Sequence, residues 1–214
     1  MDLFLLIAEL VGTVSFAASG ALLGLKKEMD IFGVAIMGVI TACGGGVLRD
    51  LFLGQLPPVM FREPVYALTA VGVSVLLFLP GVRRVLVHQE RAYELFSLVT
   101  DAAGLGVFTA AGVSAAFTAG FGENVFFAVF LGTITGVGGG VLRDLLGGDR
   151  PYIFVKHIYA LASLAGAVTC ALLWNVTGDA VAMIVCCGLV FLIRLLAAHF
   201  RWSLPKAHPT GGED

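Results

Sequence analysis

The chain has 214 residues, 58% of them hydrophobic and only 13% charged, with a mean hydropathy of +0.96. No soluble domain of this size buries so much apolar surface, so the chain belongs among integral membrane proteins, with no room for a separate extramembrane catalytic unit. The formal net charge of −2 says little, because where the charges lie matters more here than their sum.

Apolar runs of about 20 residues recur along the chain, which points to an all-α membrane protein rather than a barrel. Seven transmembrane helices are expected in order, at residues 3–25, 31–53, 65–79, 95–117, 125–146, 158–174 and 180–198. The first run has no basic residues before it and no convincing cleavage site after it, and it reads as a retained span. Pro57, Pro58 and Pro64 punctuate the connector before the third span, Pro80 ends that span, and Pro151 separates the fifth from the sixth. The tail 201–214, with Pro205 and Pro209, is polar and reads as frayed.

Basic residues near the span ends set the expected orientation. Lys26, Lys27, Arg83, Arg84, Arg91, Arg150, Lys156, Arg201 and Lys206 fall on one side and Arg62 alone on the other, which also carries Asp2, Glu123 and Asp179. The N-terminus is therefore expected outside and the C-terminus in the cytoplasm.

One phrase occurs twice. Residues 41–51, Thr-Ala-Cys-Gly-Gly-Gly-Val-Leu-Arg-Asp-Leu, return at 135–145 as Thr-Gly-Val-Gly-Gly-Gly-Val-Leu-Arg-Asp-Leu, 94 positions on. The correspondence is wider. Glu9, Gly12, Phe16, Ala18 and Gly20 match Asp101, Gly104, Phe108, Ala110 and Gly112 at an offset of 92, and Pro58, Phe61, Tyr66 and Ala67 match Pro151, Phe154, Tyr159 and Ala160 at 93. Spans one to three (residues 3–80) thus correspond to spans four to six (93–174). Since three is odd, the second copy enters from the opposite side, an inverted 3+3 repeat. Span seven, 180–198, is an extra helix without a partner and reads as peripheral.

Each glycine in a helix interior costs about 1 kcal/mol relative to alanine, so Gly44, Gly45 and Gly46, and again Gly138, Gly139 and Gly140, weaken the second and fifth spans near their middles. Two readings follow. Two glycine-broken helices would free carbonyls such as those of Thr41 and Thr135 to line a path for a cation. Alternatively, the small residues let helices approach closely. Arg49-Asp50 and Arg143-Asp144 lie about one turn further on. Charges at that depth must face one another, water or backbone. Inverted symmetry permits cross-pairing of Arg49 with Asp144 and of Arg143 with Asp50, as structural bridges or as lining of a path. Glu9 and Asp101 form a third matched pair, Asp101 the better placed to attract cations. Thr13, Ser15 and Ser19 form a polar stripe that either faces the same path or bonds to its own backbone. Cys43, Cys170, Cys186 and Cys187 lack metal-ligand spacing, and His88, His157, His199 and His208 lie near span ends or in the tail. No cofactor, resident metal, nucleic-acid partner or enzyme activity is expected.

The doubled Gly-Gly-Gly-Val-Leu-Arg-Asp, the seven spans and the inverted repeat together resemble the prokaryotic branch of the trimeric intracellular cation channel family, over about residues 3–198. The resemblance implies a homotrimer in bilayer lipid with a pore in each protomer, spans two and five kinked at their glycine triplets around it, and passage of K⁺, possible also for Na⁺. It places the chain in a bacterial inner membrane. Bacterial relatives also carry a glycine-transporter label, which keeps a second reading open: a secondary transporter for a small zwitterion such as glycine. A bare scaffold would leave the doubled charged phrase unexplained.

Overall fold

The computed structural model describes residues 3–83, 89–155 and 158–202. The expected cytoplasmic residues Arg84, Lys156 and Lys206, the acid Asp2, the histidines His88, His157 and His208, and the tail beyond Trp202 lie outside the described residues.

All regular structure in the described residues is helical: α1 Leu3–Lys26, α2 Ile31–Phe52, the short α3 Val59–Arg62, α4 Val65–Phe78, α5 Glu90–Thr118, α6 Val125–Leu146, the short α7 Tyr152–Val155, α8 Tyr159–Thr177 and α9 Asp179–His199. Six of these, α1, α2, α5, α6, α8 and α9, are long and apolar enough to cross a membrane. The third expected span, α4, has 14 residues, about 21 Å of helix against a hydrocarbon core of about 30 Å. The expected fourth span begins earlier, at Glu90. Glu90, Arg91 and Glu94 are too polar for a span but not for a helix, and an acid in the first turn favours the N-terminal dipole.

The matched segments begin and end alike. Asp30 caps α2 by accepting from Gly33 N at 2.7 Å, and Asn124 caps α6 by accepting from Phe127 N at 3.0 Å. Both helices close with a left-handed glycine, Gly54 at φ 67° and Gly148 at φ 72°. Gln55 N donates to Asp50 O at 2.8 Å and Asp149 N to Asp144 O at 2.9 Å, the long bond of a Schellman turn in each case.

Helices α1, α2 and α4 pack on one another, as do α5, α6 and α8; α1 meets α5 and α2 meets α6 between the two sets. Helix α9 packs on α5 and α8. Small side chains hold the interior: Ala17, Ala21, Ala110, Ala111, Ala162 and Ala167 are buried. Large apolar ones point outward, with Phe126 82%, Phe32 72% and Leu68 67% exposed. An outward apolar surface around a small-residue interior suits a bilayer, where helices gain by close backbone approach and not by hiding oil from water.

Helices α2 and α6 run unbroken through their glycine triplets. This corrects the expectation of two broken helices with freed carbonyls. The triplets serve approach instead. A methyl group on Gly45 would collide with the Thr135 carbonyl oxygen, and one on Gly139 with that of Thr41. A Cβ on Gly44 would stand 2.6 Å from Leu142 Cδ1, and one on Gly138 2.8 Å from Leu48 Cδ1. These contacts are reciprocal, and they descend one helix as they climb the other, so α2 and α6 cross antiparallel.

Candidate functional site: two buried arginine–carboxylate clusters

The antiparallel crossing carries the two Arg-Asp pairs apart. With Gly45 level with Gly138, and Gly44 with Gly139, Asp144 stands near the level of residue 39 of α2. Arg49 is ten residues away, roughly 15 Å along the axis. The expected cross-pairing is therefore replaced by pairing within each set of helices.

In the first cluster Arg49 Nε donates to Asp50 Oδ1 at 2.9 Å and Nη1 to Glu9 Oε1 at 3.0 Å. Tyr66 of α4 donates its hydroxyl to Glu9 Oε2 at 2.7 Å. Val59 N, the first free amide of α3 after Pro58, donates to Asp50 Oδ2 at 2.7 Å. The second cluster repeats this plan. Arg143 Nε donates to Asp144 Oδ1 at 2.9 Å and Nη1 to Asp101 Oδ1 at 2.6 Å. Tyr152 N, after Pro151, donates to Asp144 Oδ2 at 2.8 Å. Tyr159 OH reaches Asp101 Oδ1 only at 3.5 Å, as an aspartate one methylene shorter than Glu9 would have it. Each proline pre-sets a short helix whose first amide stays available for the carboxylate.

All of these charges are buried, Arg49 8%, Asp50 1%, Asp101 1%, Arg143 2% and Asp144 1% exposed. Buried ions persist only when paired and hydrogen-bonded, and losing one partner costs far more than the pair contributes. The clusters thus staple α1, α2 and α4, and α5, α6 and α8. A double-mutant cycle checks the pairing: Arg49 and Glu9 should couple by about 1–3 kcal/mol, and Arg49 and Asp144 should be additive within about 0.5 kcal/mol. Coupling of Arg49 to Asp144 instead would restore the cross-pairing.

The other expected site residues divide. Ser19 joins the second cluster, accepting from Arg143 Nη1 at 2.5 Å. Thr41 and Thr135 donate back to Met37 O and Leu131 O, both at 2.6 Å, and Thr13 and Ser15 to Glu9 O and Val11 O, both at 2.8 Å. Their hydroxyls satisfy their own helices. Gly46 borders the first cluster with open space beside it, and a Cβ on Gly140 would stand 2.7 Å from Tyr159 OH. The four cysteines are free thiols.

Three participants were not singled out from sequence. Tyr66 and Tyr159 are matched in the sequence at the offset of 93, but only the fold shows that their hydroxyls meet carboxylates. Arg194 of α9, 3% exposed, brings Nη2 to 3.9 Å from Asp101 Oδ2 and lays its guanidinium 4.7 Å from the Tyr159 ring centre. A lone arginine inside an apolar span is itself the signal. The helix read from sequence as peripheral thus reaches the second cluster, with α9 placing Arg194 beside Asp101.

The clusters differ in access. The second lies at the base of a cavity of about 740 Å³, whose walls include Lys26, Lys27, Tyr93, Asp149, Arg150 and Arg201 and whose base includes Asp101, Tyr152 and Arg194. Lys27 and Asp149 bridge its rim at 2.6 Å. The first borders a cavity of only about 30 Å³, room for about one water.

Fold and site together define a helical membrane protein of two matched three-helix sets, each closed by an arginine between carboxylates. The model of the family described as "Glycine transporter" matches residues 6–80 and 98–175. The UPF0126 inner membrane protein YadS of Escherichia coli K12 is 39% identical over 197 residues, 92% of this chain and 91% of that one. A UPF0126 membrane protein of Deinococcus radiodurans is 42% identical over 161 residues, 74% and 71% of the two chains. A prokaryotic TRIC channel in 0.5 M KCl superposes with a TM-score of 0.86 at 33% identity, covering 95% of this chain and 100% of that one. The TRIC trimeric intracellular cation channel orthologue from Rhodobacter sphaeroides gives 0.83 at 34%, covering 92% and 98%. The chain belongs to this family, in the prokaryotic branch of the trimeric intracellular cation channels.

Proposed function

We propose that this chain is a monovalent cation channel of the bacterial inner membrane, passing K⁺ and also Na⁺, assembled as a homotrimer with a path in each protomer. The observation that carries the reading is the pair of buried arginine–carboxylate–tyrosine clusters on either side of the α2–α6 crossing, one of them opening to a wide cavity. The path runs from that cavity past Asp101 and Arg143, along the Gly140 and Gly46 faces of α6 and α2, to Arg49, Asp50 and Glu9. Likeness to solved structures named as cation channels supports the activity, and the name of the Rhodobacter sphaeroides orthologue supports the trimer. The reciprocal glycine contacts and the matched caps support the inverted repeat, with α4 as a seventh, short span. The bias of basic residues supports an outer N-terminus and a cytoplasmic cavity.

Carboxylates at both ends suit a cation path, because a fixed negative charge lowers the energy of a partly dehydrated cation. The arginines hold those carboxylates in place. Purified protein in a planar bilayer should give unitary currents whose reversal potential follows the K⁺ gradient. Absence of unitary currents, together with saturable glycine uptake into proteoliposomes, would overturn the channel in favour of a zwitterion transporter.

A further inference from the structure

The two clusters are built to one plan, and α9 adds to only one of them. Glu9, Asp50 and Arg49 sum to one negative charge. Asp101, Asp144 and Arg143 would sum to the same, but Arg194 of α9 brings the second cluster to neutrality. Helix α9 lies outside the repeat, packing on α5 and α8. Among the described residues, the first set of helices receives no such arginine.

The geometry of that addition is particular. Asp101 is 1% exposed, and its Oδ1 takes the short bond from Arg143 at 2.6 Å. Its Oδ2 is buried and accepts no hydrogen bond from the described residues. Arg194 Nη2 stands 3.9 Å from that oxygen, within the range of an ion pair but beyond a hydrogen bond. The guanidinium rests 4.7 Å from the Tyr159 ring centre, a cation–π contact. Asp101 and Arg194 both border the base of the 740 Å³ cavity. Asp101, a lining residue of the cavity, thus keeps a buried carboxylate oxygen with spare accepting capacity 3.9 Å from Arg194 Nη2.

We propose that Arg194 is a tethered competitor of the permeant cation: it neutralises the Asp101 oxygen next to the cavity and so sets how readily that oxygen takes up a monovalent cation. The inference rests on the cation-path reading and adds a specificity-determining residue to it. A monovalent cation arriving from the cavity meets Asp101 Oδ2 at the cost of displacing Arg194's field, and a guanidinium cannot shed its charge to make way. The cation–π contact with Tyr159 is a second anchor that holds Arg194 beside Asp101. The first cluster, with no counterpart, keeps its surplus negative charge. The two ends of the path therefore differ in cation affinity although the repeat makes them alike.

The test uses the full chain, with K⁺ as the probe against choline at equal ionic strength. Arg194→Gln removes the charge and keeps a polar side chain. Arg194→Met removes it and keeps length and a contact with the Tyr159 ring. Both should lower the K⁺ concentration for half-maximal unitary conductance by on the order of tenfold. Both should also gain a K⁺-specific rise in Tm of the detergent-solubilised protein that the wild type shows weakly. Arg194→Lys, which keeps the charge, should stay near wild type in both readouts. Folded Gln and Met variants matching the wild type in both would overturn the proposal. So would failure of both to fold and assemble, which would assign Arg194 to structure alone. The Tm readout needs no conduction. A wild type without unitary currents whose Arg194→Gln variant gains K⁺-specific stabilisation would sink the channel reading and keep this one; conducting wild type with unchanged variants does the reverse.

Discussion

Arg143→Met should be among the most damaging single substitutions in the chain, costing about 3–5 kcal/mol. Arg143 is the common partner of Asp101 and Asp144, which would be left buried, and it also donates to Ser19 of α1. Its loss removes the side-chain ties of α6 to Asp101 of α5 and to Ser19 of α1 at once. The measurement is the melting of detergent-solubilised protein together with recovery of a single assembled species. Adding Asp101→Asn should return part of the loss, because one of the two orphaned carboxylates is removed. A single variant within about 1 kcal/mol of wild type would mean that the cluster is hydrated and contributes little to holding the helices.

The glycine triplets should respond with opposite signs at adjacent positions. Gly45→Ala drives a methyl group into the Thr135 carbonyl, and Gly139→Ala drives one into that of Thr41. Backbone cannot rotate aside as a side chain can, so each should cost about 1–3 kcal/mol in stability as α2 and α6 separate. The two collisions share one crossing. Once the first has parted the helices the second costs less, and the double variant should lose clearly less than the sum. Gly46→Ala meets nothing within 4 Å and should be neutral or stabilising by up to about 1 kcal/mol through helix propensity. Equal melting of the Gly45 and Gly46 variants would remove close packing as the role of the triplet. Unitary conductance of the Gly46 variant carries separate information, since that glycine borders the small cavity beside Arg49 and Asp50.

Much of the site was legible as a list of residues and little of it as a set of partners. The doubled phrase singled out Arg49, Asp50, Arg143 and Asp144, and the wider correspondence added Glu9 and Asp101. Burial of charge in an apolar chain requires a partner, so pairing of some kind followed from composition alone. Which partner did not follow. Symmetry made Arg49 with Asp144 as acceptable as Arg49 with Glu9, and only the crossing of α2 and α6 separates them. Arg194 stood in plain sight as a charge within an apolar span, but in a helix without a repeat partner nothing marked it as belonging to Asp101.

The sequence by itself determined the class of protein, the positions of the helices within a few residues, and the match between the two stretches that carry the doubled phrase. Those are matters of hydropathy, period and local backbone preference, and each depends on residues near one another in the chain. The tertiary structure decided that the glycine triplets remain helical and pack against opposing carbonyls. Three glycines lower helix propensity by about 3 kcal/mol in isolation, but a membrane interior offers an unbonded backbone no water. Keeping the helix and approaching closely is the better solution. The structure also decided that each arginine closes its own set of helices, because antiparallel helices carry equivalent residues in opposite directions from the point where they touch. A repeat read along the chain has no distances in it, and the 15 Å that separates the alternatives appears only when the two copies are set against each other.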